Sequence, residues 1–241
     1  QAYKIIEKMY APLKLPIVHV SVRSSEMTKY ASNDFLALKI SYINEIANFC
    51  EIVGADIEEV ACGMGMDRRI GSNFLKAGIG YGGSCFPKDT KALNFQSDHA
   101  GVKLKTVKAT IDVNREQRTR LIDKARRFFP TFRDVRVAII GLTFKPGTDD
   151  LREAPAKQNI DILLNEGADI IAWDPLGAEN FRKRYPNCAI NFAKDIDEAL
   201  TDADVCLIMT EWEKIVEYPL DNYKKYMKRP LVFDGRNCYK L

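Results

Sequence analysis

The residues best placed to do chemistry lie in Gly82-Gly83-Ser84-Cys85-Phe86-Pro87-Lys88-Asp89-Thr90. Two glycines allow a tight turn and a close approach to a ligand. Ser84 is a helix-capping residue type and Pro87 suits a first turn. Cys85 then falls at a helix N-terminus, where the macrodipole and Lys88 favour a thiolate, the nucleophilic form. Asp89 is four residues on and shares its face. A nucleophile and a carboxylate one turn apart suit covalent catalysis followed by attack of water. The competing reading of the same spacing is a glycine turn before a helix with an inert, buried cysteine.

A second polar pair, Lys29 and Asn33, is spaced i, i+4. That spacing puts both donors on one helix face, as oxyanion stabilisation requires. A polar stripe on a solvated helix has the same spacing. Other cysteines stand at 50, 62, 188, 206 and 238, with no Cys-x-x-Cys pair. This indicates a reduced, cytoplasmic protein rather than a disulfide or zinc scaffold. Two scattered histidines, His19 and His99, argue against a metal centre and leave Cys85 without an evident histidine base. A Cys-dependent hydrolase is therefore disfavoured.

The elements that must carry these groups can be read from periodicity. Residues 1–23 read as a short helix, a proline-flanked turn and a strand at 17–20. Ser24 or Ser25 is expected to cap a long helix ending at Gly54. At ~1.5 Å per residue it spans ~43 Å. Apolar residues ring it almost completely, as in a buried helix, so part of its cover is expected from a second subunit. Helices follow at 57–63, after Asp67, from Cys85, and at 104–129. Beyond Pro130 strands are expected at 135–140, 169–173, 189–192, 205–209 and 231–233. Helices at 156–166, 178–185, 195–200 and 221–227 alternate with them. The fold class is thus α/β: an all-helical domain with a long dimerisation helix, then a doubly wound parallel-sheet, Rossmann-like domain. Boundaries are placed at 1–23, 24–129 and 130–241. The length of 241 residues allows two such domains, and the net charge of +3 implies no nucleic-acid partner. No run reaches membrane-spanning length. The chain starts at Gln1 inside a helical pattern, as an excised piece of a longer protein would.

Ligands of open parallel sheets bind beyond the strands' carboxyl ends. Lys145, Asp174 and Arg236 fall there. The first loop, 141–150, is not Gly-x-Gly-x-x-Gly, and no segment is expected to supply a glycine-rich pyrophosphate turn. Its Lys145 and Phe144 suit a nucleotide diphosphate better than NAD; a solvated basic loop is the alternative.

These segments together resemble the UDP-glucose 6-dehydrogenases of the nucleotide-sugar dehydrogenase family. The likeness rests on the Cys85 segment and on Glu26-Met27-Thr28-Lys29-Tyr30-Ala31-Ser32-Asn33, Asp67-Arg68-Arg69-Ile70-Gly71 and Phe74-Leu75-Lys76-Ala77. It continues through Gly141-Leu142-Thr143-Phe144-Lys145, Thr210-Glu211-Trp212 and Phe233-Asp234-Gly235-Arg236. Phe86 favours UDP-glucose over GDP-mannose enzymes. The resemblance implies two NAD-dependent oxidations of UDP-glucose to UDP-glucuronate, through a Cys85 thiohemiacetal and thioester. It gives Lys29 and Asn33 the oxyanion, and Asp89 the hydrolytic water. It assigns substrate to Lys29, Tyr30, Ala31, Ser32, Asn33, Arg69 (toward a partner subunit), Lys76, Ala77, Gly78, Ile79, Gly80, Tyr81, Gly82, Phe144, Lys145 and Arg236. Cys85, Lys88 and Arg152 are placed near NAD, which is held mainly by an N-terminal domain of which 1–23 is a remnant. Two outcomes are implied for these residues alone: half of a dehydrogenase, or an inert dimeric nucleotide-sugar-binding module.

Overall fold

The computed structural model describes residues 2–240. A short amphipathic helix, α1 (Ala2–Tyr10), leads through a 3-10 turn (Ala11–Leu13) into the long helix α2 (Val22–Val53). Ser21, not Ser24 or Ser25, caps α2 by accepting from the Ser24 amide, and Gly54 ends it at φ +75°. The strand expected at 17–20 does not form. Those residues are exposed and lie beside no strand. An unpaired strand has no ladder to satisfy its backbone.

Helices α3 (Ile57–Gly65), α4 (Cys85–His99) and α5 (Lys105–Gln117) pack with α2. No helix forms directly after Asp67. There the Asp67 carboxylate accepts from the Arg69 amide at 2.9 Å, an aspartate turn that competes with the helical ladder. The expected helix at 104–129 is two helices, α5 and α6 (Arg120–Ala125). At the break the Arg118 carbonyl accepts from Asn159 Nδ2 at 2.8 Å.

The second unit comprises β1 (Arg136–Ile140), α7 (Pro155–Asn165), β2 (Asp169–Trp173), α8 (Gly177–Arg184), β3 (Asn191–Phe192) and α9 (Ile196–Leu200), followed by β4 (Val205–Ile208), α10 (Glu213–Val216), α11 (Leu220–Tyr226) and β5 (Val232–Asp234). All pairings are parallel and the sheet order is β3-β2-β1-β4-β5. Strands β1 and β4 are buried at every position from Val137 onward, so both faces are covered by helices. The order reverses between β1 and β4, which opens a crevice at their carboxyl ends. The four-residue α10 lies outside the expected helices. Among the described residues no helix is long and apolar enough to cross a membrane.

Candidate functional site

Helix α4 begins at Cys85, as the spacing predicts, with Ser84 at the N-cap position making no side-chain capping bond. Pro87 occupies the third helical position, where a missing N–H costs nothing. The Cys85 thiol is exposed, with Ser84 Oγ 3.9 Å away. One turn on, Asp89 is 1% exposed and is the centre of a polar knot. Its Oδ2 accepts from Lys29 Nζ at 2.7 Å and from Asn33 Nδ2 at 2.5 Å; Lys88 Nζ lies 3.1 Å from Oδ1. Burial opposes charge on Asp89, but the bonds from Lys29, Asn33 and Lys88 outweigh it and hold the carboxyl below its usual range. The same bond to Asp89 raises Lys29, and a Cys85 thiolate lies near enough to add to it. Arg152 is raised first by Asp150 and in small part by Cys85.

Lys29 and Asn33 therefore do share one helix face, with Asp89 as their common acceptor. Each keeps unspent N–H groups: Lys29 has three donors and Asn33 two, with one of each used.

A cleft of about 330 Å³ opens where the crevice of the sheet meets the central helices. Lys76, Ala77, Gly80, Tyr81, Gly82, Phe144, Lys145 and Arg236 line it, as expected. So do Ile40, Phe74, Phe86 and Glu211, which were not singled out as site residues. Phe86 stands edge-on to Tyr81 and Phe74, with ring centroids 5.7 and 6.1 Å apart. Phe86 and Cys85 open the same helix, so the cleft wall and the nucleophile are adjacent in the chain. Gly78 and Ile79 line a second cavity rather than this cleft. Ala31 and Ser32 are exposed on α2. Arg69 is exposed and held by Asp67 at 2.6 Å, outside the cleft.

The three groups at the strand ends differ in role. Lys145 is exposed over the Phe144 ring at 5.4 Å and, like Lys76, makes no ion pair among the described residues. Arg236 is not a free cation. Its Nε donates to the Met209 carbonyl at 2.9 Å, Nη1 to Gly80 at 3.1 Å and Nη2 to Phe144 at 3.3 Å, with Glu211 3.3 Å away. It staples the cleft walls together. Asp174 is not a ligand group. Both oxygens are spent on the amides of Leu142, Thr143, Leu176 and Gly177, the Thr143 hydroxyl and Trp212 Nε1. Thr210 hydrogen-bonds the Thr143 carbonyl, so Thr210-Glu211-Trp212 braces the loop after β1.

The glycines before Cys85 are dictated by the neighbouring loop. A Cβ on Gly82 would clash with the Glu153 carbonyl. One on Gly83 (φ +77°) would meet the Phe144 ring at 2.9 Å. The letters Gly-x-Gly-x-x-Gly do occur, at Gly78-Ile79-Gly80-Tyr81-Gly82-Gly83, contrary to the expectation of no glycine-rich turn. No strand precedes them, and Gly83 N donates to the Arg152 carbonyl at 2.8 Å. A pyrophosphate turn needs a strand before it and free amides. Lys88 and Arg152, the residues expected near NAD, flank Cys85 on an exposed edge and fit an anionic dinucleotide there, though each already contacts a carboxylate.

Known proteins share this chain's sequence pattern and fold. Residues 23–116 match the model of the UDP-glucose/GDP-mannose dehydrogenase family, central domain, and residues 138–241 its UDP binding domain. The UDP-glucose 6-dehydrogenase YwqF of Bacillus subtilis is 48% identical over 236 residues, 98% of this chain and 53% of that protein. A UDP-glucose dehydrogenase structure from Pyrobaculum islandicum superposes with a TM-score of 0.92 at 32% identity, covering 99% of this chain and 54% of that one. A GDP-mannose dehydrogenase from Pseudomonas aeruginosa gives 0.60 at 26% identity, over 99% and 55% of the two chains. The chain spans about half the length of the relatives it matches.

Proposed function

The chain belongs to the UDP-glucose/GDP-mannose dehydrogenase family, and from that premise we propose that it carries the nucleophile and the nucleotide-sugar site of a UDP-glucose 6-dehydrogenase. The observation that carries this reading is the adjacency of two features. Asp89, the centre of the knot with Lys29 and Asn33, lies one turn from Cys85, and α4, which carries both Cys85 and Asp89, walls a cleft whose mouth offers Lys76 and Lys145. Two free cations suit a diphosphate, and charge-assisted contacts are the strong kind.

The C6 aldehyde of the sugar nucleotide is attacked by the Cys85 sulfur, forming a C–S bond and an alkoxide. The remaining N–H groups of Lys29 and Asn33 stabilise that oxygen. Loss of hydride from C6 converts the thiohemiacetal to a thioester. Water then cleaves the C–S bond, releasing the carboxylate and restoring the thiol. NAD⁺ is the hydride acceptor in this family's chemistry, with Cys85, Lys88 and Arg152 as this chain's contacts to it. Asp89 remains ionised and orients Lys29 and Asn33. Its lowered proton affinity makes it a modest base for the water, so orientation is its larger role.

The GDP-mannose reading is weaker, because the cleft wall is Phe86 packed on Tyr81 and Phe74. The proposed assembly is a homodimer through α2, where Phe35, Tyr42, Phe49 and Ile52 stand 62, 47, 59 and 78% exposed. Six unbridged cysteines suit a cytoplasmic setting. Calorimetry of the chain with UDP-glucose and GDP-mannose tests the assignment. Heat of binding for the guanosine compound alone would reverse it.

A further inference from the structure

Phe144 and Lys145, which line the nucleotide cleft, and Glu153 belong to one loop between β1 and α7. Glu153 is unusual on three counts. It holds a left-handed backbone, φ +52°, that a non-glycine residue adopts only where its surroundings impose it. Its carboxylate is gripped from two places in the helical unit. Lys91 Nζ of α4 donates to Oε1 at 3.0 Å, and Arg118 Nη1, after α5, donates to Oε2 at 2.9 Å. Its own carbonyl accepts from Arg118 Nη2 at 3.1 Å, and the same nitrogen reaches the Tyr81 carbonyl at 3.2 Å.

This grip acts on the turn before Cys85. Gly83 N donates to the carbonyl of Arg152, the residue preceding Glu153. The Glu153 carbonyl presses on Gly82 so closely that no side chain fits there. The Phe144 ring covers Gly83. One loop thus touches the nucleotide site at its start and the nucleophile's turn at both ends. None of these contacts involves the reacting atoms.

We propose that Glu153, clamped by Lys91 and Arg118, is a positioning residue that couples nucleotide binding at Phe144 and Lys145 to the geometry of the Cys85 turn. The proposal rests on the cleft being the nucleotide site. Nucleotide packed on Phe144 presses the loop onto Gly82 and Gly83, and Glu153 is the anchor against which it presses. Without the anchor, the nucleotide still binds but the turn no longer tightens.

Hydrogen exchange of the full chain tests this, read at the Gly82–Phe86 segment with and without saturating UDP. In the native protein UDP should slow exchange of the Gly83 amide by about tenfold, a modest coupling between sites. In Glu153→Gln, UDP should bind within about threefold of native affinity, yet the extra protection should vanish. A residue serving only local stability would lower protection with and without UDP alike and leave the increment intact. Retention of the increment in Glu153→Gln overturns the proposal, as does a native protein that binds UDP without gaining protection. Lys91→Gln, at a half-exposed position, halves the clamp and serves if Glu153→Gln does not fold; it should reduce the increment. If UDP fails to bind the native chain, the nucleotide-site reading falls. The ligand-free comparison then still decides the clamp. Identical Gly83 exchange in Glu153→Gln removes the clamp and the proposal with it; faster exchange, with β1 unchanged, is the local effect alone, and the coupling falls with the nucleotide-site reading.

Discussion

At the scale of single residues, two aspartates of the helical unit stand in opposite circumstances. Asp89 is buried with three donors on it, while Asp34, on the next turn of α2 after Lys29, is 7% exposed with no hydrogen bond to either oxygen. Burial, and in second place the charge of Asp89, pushes the Asp34 carboxyl up to about 6. The folded state therefore binds a proton more tightly than the unfolded chain, whose value is near 3.8. Stability from this group is present in full below that value and is lost as pH rises through about 6. Asp34→Asn should remove the slope, and above pH ~6.5 it should raise stability by about 1–3 kcal/mol. Urea melts of both proteins from pH 4 to 7.5 measure this; parallel slopes would refute it. The exposed thiols offer a second test. Cys85 and Cys62 are both exposed, but Cys85 opens a helix beside Lys29 and Arg152 whereas Cys62 sits inside α3. Iodoacetamide should label Cys85 about tenfold faster at neutral pH, by the field of the helix terminus and the nearby cations. Equal labelling in a peptide-mass time course would leave Cys85 an ordinary surface thiol.

At the scale of elements, the long helix α2 both carries Lys29 and Asn33 and exposes a stripe that its own domain leaves uncovered. Phe35, Tyr42 and Phe49 recur every seven residues, so they fall on nearly one line along the helix. Two copies related by a two-fold axis would bury that line symmetrically. Phe49→Glu should turn a dimer into monomers in sedimentation at micromolar concentration. A native protein that is already monomeric there would refute the interface. Periodicity foretold α2 itself, all five strands and the helix opened by Cys85, because those patterns are local and repeat. What it missed depends on neighbours distant in sequence. Residues 17–20 look like a strand but find no sheet edge, and residues after Asp67 look helical until the carboxylate takes the Arg69 amide. Arg236 reads as a free cation, yet three carbonyls from three segments consume it. Asp174 likewise looks available until the amides of two loops are seen around it. Glu211 carries no signal beyond its position in a motif and Glu153 carries none, since a carboxylate's partners cannot be read from its own neighbours. That Lys29 shares a face with Asn33, and Cys85 with Asp89, was legible because helical spacing fixes which residues share a face; that the two pairs meet was not.

At the scale of the whole molecule, the cleft lies between the helical unit and the sheet, and residues of both units line it. Lys76, Gly80 and Phe86 come from one side, and Phe144, Lys145 and Glu211 from the other. The chain should therefore bind UDP and UDP-glucose with all its parts in place. Lys145, at the sheet's switch point, makes no ion pair among the described residues, and the proposal gives it the diphosphate, which both ligands share. Lys145→Ala should weaken the two ligands alike, by about tenfold, the value of one lost charge-assisted contact. Isothermal titration of both ligands against both proteins measures this. Weakening confined to UDP-glucose would move Lys145 to the sugar end and away from the switch point. The same chain, given UDP-glucose and NAD⁺, should form no NADH by absorbance. Each of β1, β2 and β4 is followed by a loop already spent on internal bonds: Gly141 sits against Thr210, Asp174 fills the turn after β2, and Thr210 bonds the Thr143 carbonyl. The glycine run at 78–83 has no strand before it, and its last amide is used. Turnover by these residues alone would mean that one of those loops opens to receive a dinucleotide. Gly83 is where to look first, because its amide would have to leave the Arg152 carbonyl, and the Glu153 clamp beside it would have to loosen.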